Sequence, residues 1–329
     1  MYFRRMKFLS YKIKDITKTI KIELSDLYAQ KEIDSFIYLL FKKYLNFSKT
    51  DVILKSEYKV NKKELIKINL AINDLKNFKP IQYITGKINF YGLDFIVNKN
   101  VFIPRPETEE LINVIINDYK SGYFYQQEKN TINILDIGTG SGCIAVTLKK
   151  IIANSNVFAC DISKESLKTA KKNATHNNVK INFFIYDILN DNACSELVPR
   201  PVLNSFQYPY HPELLSGLFQ YIPKFDIIIS NPPYIRESEK KTMSKNILNY
   251  EPEQALFVTD ENPLVFYNAI ADFALKHLNV NGKIYFEINE ELSKDLKMML
   301  LKKNLKNIII KKDINGKDRI ITCSIVSTR

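Results

Sequence analysis

The sequence predicts an α/β protein whose mostly parallel sheet has an antiparallel C-terminal end and is preceded by a small α-helical domain. Three observations carry this. From Thr131 onward, short β-branched runs alternate with amphipathic helical segments, the pattern of strands joined by crossover helices. The last two apolar runs, "NIIIKK" and "DRIITCSIV", instead flank a turn around Asn315 and Gly316, which makes them an antiparallel pair. The first quarter has no glycine and no strand-like alternation, only helical periodicity.

In "KEIDSFIYLLFKKYLNF" the apolar residues Ile33, Phe36, Ile37, Leu40, Phe41 and Tyr44 fall on one helical face. "NKKELIKINLAINDL" repeats the pattern through Leu65, Ile68, Ile72 and Leu75, with Asn61 as N-cap and Glu64 returning the bond. Residues 1–79 are therefore expected to form a helical bundle. Residues 80–103 read as a β-hairpin linker, with strand runs Ile88–Tyr91 and Asp94–Val97 either side of Gly92. The second domain spans 104–329. It opens with Pro104 and Pro106, then a helix from Glu107 marked by Leu111, Ile112, Ile115 and Ile116, with Thr108 as candidate cap.

Within that domain, "TINILDIGTGSGCIAVTLKKII" reads as strand, glycine loop and helix. "NVFACDIS" is a second strand followed by the helix "KESLKTAKKNATHN", and "INFFIYDIL" and "FDIIISNPPY" contain the third and fourth strands. The helix "NPLVFYNAIADFALKHL", the strand "GKIYFEI" and the helix "ELSKDLKMMLLKKN" precede the closing pair. Residues 191–224, rich in proline and without periodicity, form an insertion between the third and fourth strands.

A length of 329 residues accommodates two domains, and 45% hydrophobic content fills ordinary cores. No run approaches the roughly 18 apolar residues of a membrane span. The scattered charges of the first residues do not make a secretory signal, so a cytoplasmic protein is expected, with no membrane partner. Cys143, Cys160, Cys194 and Cys323 show neither zinc nor redox spacing, and the three histidines show no ligand spacing, so no metal is expected. Residues 1–79 hold 18 basic against 9 acidic side chains, which places +9 of the net +12 there. That excess is either a docking face for an acidic protein or RNA, or compositional drift onto solvated helix faces.

The loop Gly138, Thr139, Gly140, Ser141, Gly142 follows a strand and opens a helix, where small residues let a ligand approach the backbone and helix N–H groups face it. Such loops also serve dinucleotides or merely make tight turns. Asp161 ends the second strand about twenty residues further on, where a carboxylate accepts both hydroxyls of a ribose. Together they indicate a nucleoside-containing cofactor. Asp187 and Ile188, at the end of the third strand, stand where an adenine edge and face would be met, though Asp187 in that position also caps turns.

The fourth strand ends in Asn231-Pro232-Pro233-Tyr234, which hydride transfer does not need and methyl transfer to nitrogen does. An amide or exocyclic amine nitrogen has a delocalised lone pair and is a poor nucleophile. Two carbonyls accepting its two N–H bonds fix it and push electron density toward the methyl donor. Asn231 supplies one carbonyl from its side chain and Pro232 the other from a backbone that the Pro-Pro step restricts. Tyr234 is a flat wall for a planar group.

At these residues the chain resembles the HemK-type N5-glutamine methyltransferases, carried by "IQYITGKINFYGLDF", "VFIPRPETEELI", "LDIGTGSGCIAV", "CDIS", "FDIIISNPPYI", "YEPEQALF" and "KDINGKDRIITC". The resemblance implies a Rossmann-like S-adenosylmethionine-dependent methyltransferase domain acting on the glutamine of the Gly-Gly-Gln motif in peptide chain release factors. It implies that Gly138 to Gly142 contact the methionine part of the cofactor, that Asp161 holds the ribose, and that Ile188 lies by the adenine. Asn231, Pro232, Pro233 and Tyr234 would hold the glutamine amide, and Phe102 and Arg105 would line the substrate entrance. The helical domain is implied to help dock the release factor.

Two other readings stand beside this one. The clamp fits an exocyclic amine of adenine or guanine equally well, although no nucleic-acid module accompanies it and no stable nucleic-acid complex is expected. The third reading is a release-factor binder without turnover, which the intact loop, Asp161 and corner oppose. A monomer is expected.

Overall fold

A computed structural model of the protein describes residues 10–126, 131–190 and 223–326. They divide into two compact units, one running to Lys87 and taking in Ser244–Tyr250, the other formed by Ile88–Met243 and the chain from Glu251 onward. Most of the expected insertion, residues 191–222, lies outside the described residues. No helix among the described residues is long and apolar enough to cross a membrane.

The first unit is helical: α1 (Ile13–Leu24), α2 (Gln30–Leu45), α3 (Lys49–Leu54), α4 (Lys62–Lys76) and α5 (Ile81–Thr85). Its core joins Ile13, Ile16, Ile20 and Leu24 of α1 to the predicted faces of α2 and α4. The Asn61–Glu64 capping box forms as the sequence indicates. The isoleucine pattern of α1, at spacings of three and four, buries one residue per turn. Ile81 of α5 joins the same core, so the bundle extends beyond residue 79.

The second unit starts with a hairpin, β1 (Lys87–Phe90) and β2 (Leu93–Ile96), whose two turn residues Tyr91 and Gly92 have φ of 51° and 76°. Positive φ at both central positions matches the twist of the paired strands. Phe90 and Phe95 are buried in the core of this unit. Then come α6 (Pro106–Lys120), β3 (Ile132–Ile137), α7 (Cys143–Ile151), β4 (Ser155–Asp161), α8 (Lys164–His176), β5 (Asn182–Ile185) and β6 (Phe225–Ser230). The two-residue strands β7 (Ile235–Arg236) and β8 (Phe257–Val258) pair with each other, and α9 (Lys245–Tyr250) lies between them in sequence. The chain continues through α10 (Val265–His277), β9 (Leu278–Glu287), α11 (Ser293–Lys302), β10 (Lys306–Lys312) and β11 (Asp318–Ser324).

The seven-stranded sheet has the order β10-β11-β9-β6-β3-β4-β5. Pairs among β9, β6, β3, β4 and β5 are parallel, and β11 is antiparallel to both β9 and β10. Successive residues point to opposite faces, and each face has its own core. Ile134, Ile227 and Ile229 belong to one core with α6 and α7, whereas Leu135, Ile228 and Phe286 belong to the other with α10 and α11. From β3 the chain moves outward to β4 and β5, then returns to lay β6 on the opposite side of β3. Open α/β sheets bind ligands at such a reversal, which here falls beyond the C-terminal ends of β3 and β6.

Thr108 is not a cap. Helix α6 starts at Pro106, with Arg105 as the N-cap residue, because proline at the first helical position has the right φ and lacks an N–H that would go unpaired. Thr108 lies inside the first turn and is 2% exposed, so its hydroxyl is free to serve another partner.

Candidate active site

Parallel register brings the predicted residues to one edge. Ile137, the last residue of β3, pairs with Cys160 on β4 and with Ser230 on β6, and Cys160 pairs with Phe184 on β5. The glycine loop, Asp161, Asp187 and Asn231 therefore all lie at or just beyond strand ends along the C-terminal edge of adjacent strands. Ser230 Oγ donates to the Ile137 carbonyl at 2.7 Å, tying β6 to β3 immediately before the Asn-Pro-Pro-Tyr corner.

The glycine loop is closed onto β4. Gly138 and Thr139 both donate N–H bonds to the Cys160 carbonyl at 2.9 Å, and Gly140 donates to Asp161 Oδ2 at 2.8 Å. Gly142 N–H donates to the Thr139 carbonyl at 2.8 Å, so four amides are committed within the protein, and what the loop offers a ligand is chiefly space. Gly138 has φ of +73°, and a Cβ there would meet nothing within 4 Å. Gly142 differs: its Cβ would stand 3.0 Å from Ala170 Cβ, so this glycine lets α7 pack against α8.

Asp161 accepts from Gly140 through Oδ2 and from Ser163 N–H through Oδ1, each at 2.8 Å. A carboxylate has about four acceptor sites, so each oxygen keeps one for a ligand hydroxyl. Burial pushes its pKa up, and the two backbone N–H bonds oppose that. Asp187 accepts from Leu189 N–H at 3.0 Å and so does cap a turn. Ile188 is half-buried against the same core that Tyr234 packs on.

Around the corner, Pro232 is buried, and Asn231, Pro233 and Tyr234 are half-buried. Ile235 donates N–H to the Leu256 carbonyl at 3.0 Å, and β7–β8 pairing fixes the exit. Asn231 Nδ2 donates to Thr108 Oγ1 at 3.3 Å, and Thr108 Oγ1 donates to Glu287 Oε2 at 2.7 Å. The Tyr234 hydroxyl donates to the other oxygen, Glu287 Oε1, at 3.1 Å. Burial pushes the Tyr234 pKa far up and the nearby Glu287 adds to it, so the phenol stays a neutral donor.

Arg105 pairs with Glu251 and lies over the Phe102 ring at 4.7 Å. The Glu251 side chain is 1% exposed and also accepts from Ile103 N–H at 3.2 Å. The segment carrying Phe102 and Arg105 is thereby clipped to Glu251, and three residues on, Thr108 reaches Asn231.

The sequence does not single out the acids Asp136, Glu251 and Glu287, and it predicts Thr108 only as a cap. Asp136 and Glu287 had a usable signal, since each is an acid near a strand end, as Asp161 is. Asp136 is fully buried beneath the glycine loop and accepts the Thr139 hydroxyl at 2.6 Å through Oδ2. Its Oδ1 has no hydrogen-bond partner among the described residues. Burial pushes this carboxyl up to about 7, with the bond from the Thr139 hydroxyl opposing.

Fold and site together define a Rossmann-like methyltransferase. A family model described as the methyltransferase small domain matches residues 123–197, and one described as the PrmC N-terminal domain matches residues 18–86. The release factor glutamine methyltransferase of Flavobacterium psychrophilum is 42% identical over 298 residues, covering 91% of this chain and 94% of that protein. Its counterpart from Bacteroides thetaiotaomicron is 34% identical over 309 residues, covering 94% and 99%. That from Leptospira interrogans is 34% identical over 313 residues, covering 93% and 97%. The chain belongs to the release factor glutamine methyltransferase family.

Proposed function

We propose that the protein transfers a methyl group from S-adenosylmethionine to the side-chain amide nitrogen of the glutamine in the Gly-Gly-Gln motif of peptide chain release factors. Family membership supports the reaction and the substrate. The observation that carries the residue assignment is the Asn231–Thr108 bond, which occupies the Asn231 NH₂ and leaves Oδ1 as the atom available to a substrate N–H. A release factor being a translation protein, the cytosol is the place of action.

The residues present fit the cofactor. Gly138 leaves open space above the loop, Asp161 keeps two acceptor sites for ribose hydroxyls, and the unpartnered Asp136 Oδ1 is an acceptor for a cationic amine. Ile188 offers an apolar surface to a base. When bound, S-adenosylmethionine supplies an electrophilic methyl group on a sulfonium.

Asn231 Oδ1 and the Pro232 carbonyl accept the two N–H bonds of the glutamine amide. Holding both protons orients the nitrogen lone pair and raises its electron density, so the clamp favours the transition state over the free amide. Pro232 has a fixed φ and Pro233 after it restricts its ψ, so its carbonyl is set before substrate arrives. Tyr234, anchored through its hydroxyl to Glu287, packs against the plane of the amide. Phe102 and Arg105 line the entrance. The nitrogen becomes strongly acidic on methylation and loses its proton to solvent, so no dedicated base is assigned.

The test is incubation of the purified protein with labelled cofactor and release factor, followed by mass spectrometry of the Gly-Gly-Gln peptide. One added methyl on the glutamine, lost in Asn231→Ala while cofactor binding persists, is the expected result. Label only in nucleic acid, or an Asn231→Ala protein that methylates at the wild-type rate, sinks the reading.

A further inference from the structure

We propose that Thr108 and Glu287 are positioning residues that hold the Asn231 side chain in the one orientation that presents its carbonyl oxygen to the substrate. The proposal rests on the assignment of Asn231 as an amide clamp and adds what makes that clamp work.

A carboxamide has two nearly isosteric ends. Rotated by half a turn, Asn231 would put its NH₂ where the substrate amide also presents N–H, donor against donor, and the clamp would repel what it should hold. Something must separate the two orientations in energy. A threonine hydroxyl alone does not, because it donates or accepts as required.

Glu287 removes that freedom. Ionised, its carboxylate, 1% exposed at the end of β9, only accepts, and the donors Thr108 and Tyr234 favour that form. The Tyr234 hydroxyl occupies Oε1, and the Tyr267 hydroxyl donates to the Glu287 backbone carbonyl at 2.9 Å, so side chain and backbone are both held. The Thr108 proton is committed to Oε2 at 2.7 Å. Its oxygen is then left as an acceptor, and only the Nδ2 end of Asn231 satisfies it. The flipped amide would set two lone pairs against each other in a partly buried place. Burial disfavours the charged form of Glu287, and the bonds from Thr108 and Tyr234, with Arg319 nearby, oppose that.

Three separate elements meet in this chain: the first turn of α6, the end of β9 and the exit of β6. The polarity runs one way, from Asn231 through Thr108 to Glu287, and Tyr234 ends on the same carboxylate. Both side chains of the corner that face substrate are therefore oriented from one buried acid.

The test compares Thr108→Val, Thr108→Ser, Glu287→Gln and Asn231→Ala in the full-length protein. It measures kcat and KM for release factor, cofactor affinity by calorimetry, and Tm. Valine keeps the shape of threonine and removes the hydroxyl, so Thr108→Val is expected to lower kcat about 10- to 100-fold, with KM and cofactor affinity within about threefold of wild type. Thr108→Ser keeps the hydroxyl and is expected within about threefold of wild type in kcat. Glu287→Gln offers a donor as well as an acceptor, weakens the bias without emptying space, and is expected to cost about three- to tenfold in kcat.

A Thr108→Val enzyme with wild-type kcat beside an inactive Asn231→Ala overturns the positioning proposal and leaves the clamp intact. Wild-type activity in Asn231→Ala overturns the clamp itself. If Thr108→Ser falls as far as Thr108→Val, threonine acts by packing and the proposal fails. If Glu287→Gln is folded and matches wild type in kcat, the carboxylate does not set the polarity.

Discussion

Asp161 accepts the backbone N–H of Gly140 at 2.8 Å, so the acid that ends β4 also holds the glycine loop that follows β3. Its other oxygen holds Ser163, the N-cap residue of α8. Replacing Asp161 with asparagine turns one oxygen into a donor facing a backbone donor. Asp161→Asn is expected to weaken S-adenosylmethionine binding at least about tenfold by calorimetry, and to lower Tm through one unmade backbone bond, costing roughly 1–3 kcal/mol. An unchanged cofactor affinity would remove Asp161 from the site.

Gly142 and Gly138 of the loop are expected to behave differently. At Gly142, φ is +80° and an added Cβ would lie 3.0 Å from Ala170 Cβ and 3.2 Å from its Cα, so Gly142→Ala must shift α7 or α8. Overpacking and a left-handed backbone together cost about 2–4 kcal/mol. At Gly138 the Cβ meets only open space, so Gly138→Ala costs about 1–2 kcal/mol from φ alone but intrudes where the cofactor is proposed to lie. Thermal melts should rank Gly142→Ala as the less stable, and calorimetry should show the larger loss of binding per unit of stability in Gly138→Ala. Equal losses in both measurements would contradict the assignment.

Much of this was legible in the sequence because it rests on local rules. The strand–glycine–helix unit, the acid ending β4, the Asn61 capping box and the closing strand pair each depend on neighbours within a few residues. Thr108 and Glu287 are 179 positions apart, and their bond exists only because α6 and β9 meet in the fold. Local rules make Thr108 a helix cap, the usual use of a threonine near a helix start, but Pro106 takes the first helical position. Glu251 and Ile103 likewise meet over 148 positions. Periodicity found the faces of α2 and α4, but the polar partners of a buried site answer to tertiary contacts that no short window contains.

Asp136 makes stability depend on pH. Its pKa is raised to about 7 by complete burial, so the folded state binds its proton more tightly than the unfolded chain does. The stabilising contribution of the protonated form is fully present below the unfolded value near 4 and is lost as pH rises through about 7. A shift of this size corresponds to roughly 4 kcal/mol between the two limits. Asp136→Asn removes the charge, so the ligand-free variant is expected to melt above wild type at pH 8, with the gap closing toward pH 5. Its cofactor affinity should fall, because the charged acceptor is gone. Melting curves of both proteins across this range decide it, and a pH-independent difference would show that Asp136 does not titrate there.

The ion pair of Arg105 and Glu251 is unequal, and the inequality predicts how its variants behave. Glu251 is almost wholly buried, whereas Arg105 is about a third exposed and spreads over the Phe102 ring. Removing the arginine leaves a buried carboxylate with only the Ile103 N–H, which is costly, on the order of 2–4 kcal/mol. Removing the charge from Glu251 returns the exposed arginine to solvent and costs less, about 1–2 kcal/mol, because glutamine still accepts from Ile103. In urea melts, Arg105→Leu should therefore be less stable than Glu251→Gln, and the double variant should recover part of the arginine loss. The entrance role adds a kinetic signature: Arg105→Leu should raise KM for release factor while cofactor affinity stays at the wild-type value. Strictly additive stability losses would mean that the pair is not coupled, and an unchanged KM would take Arg105 out of the substrate path.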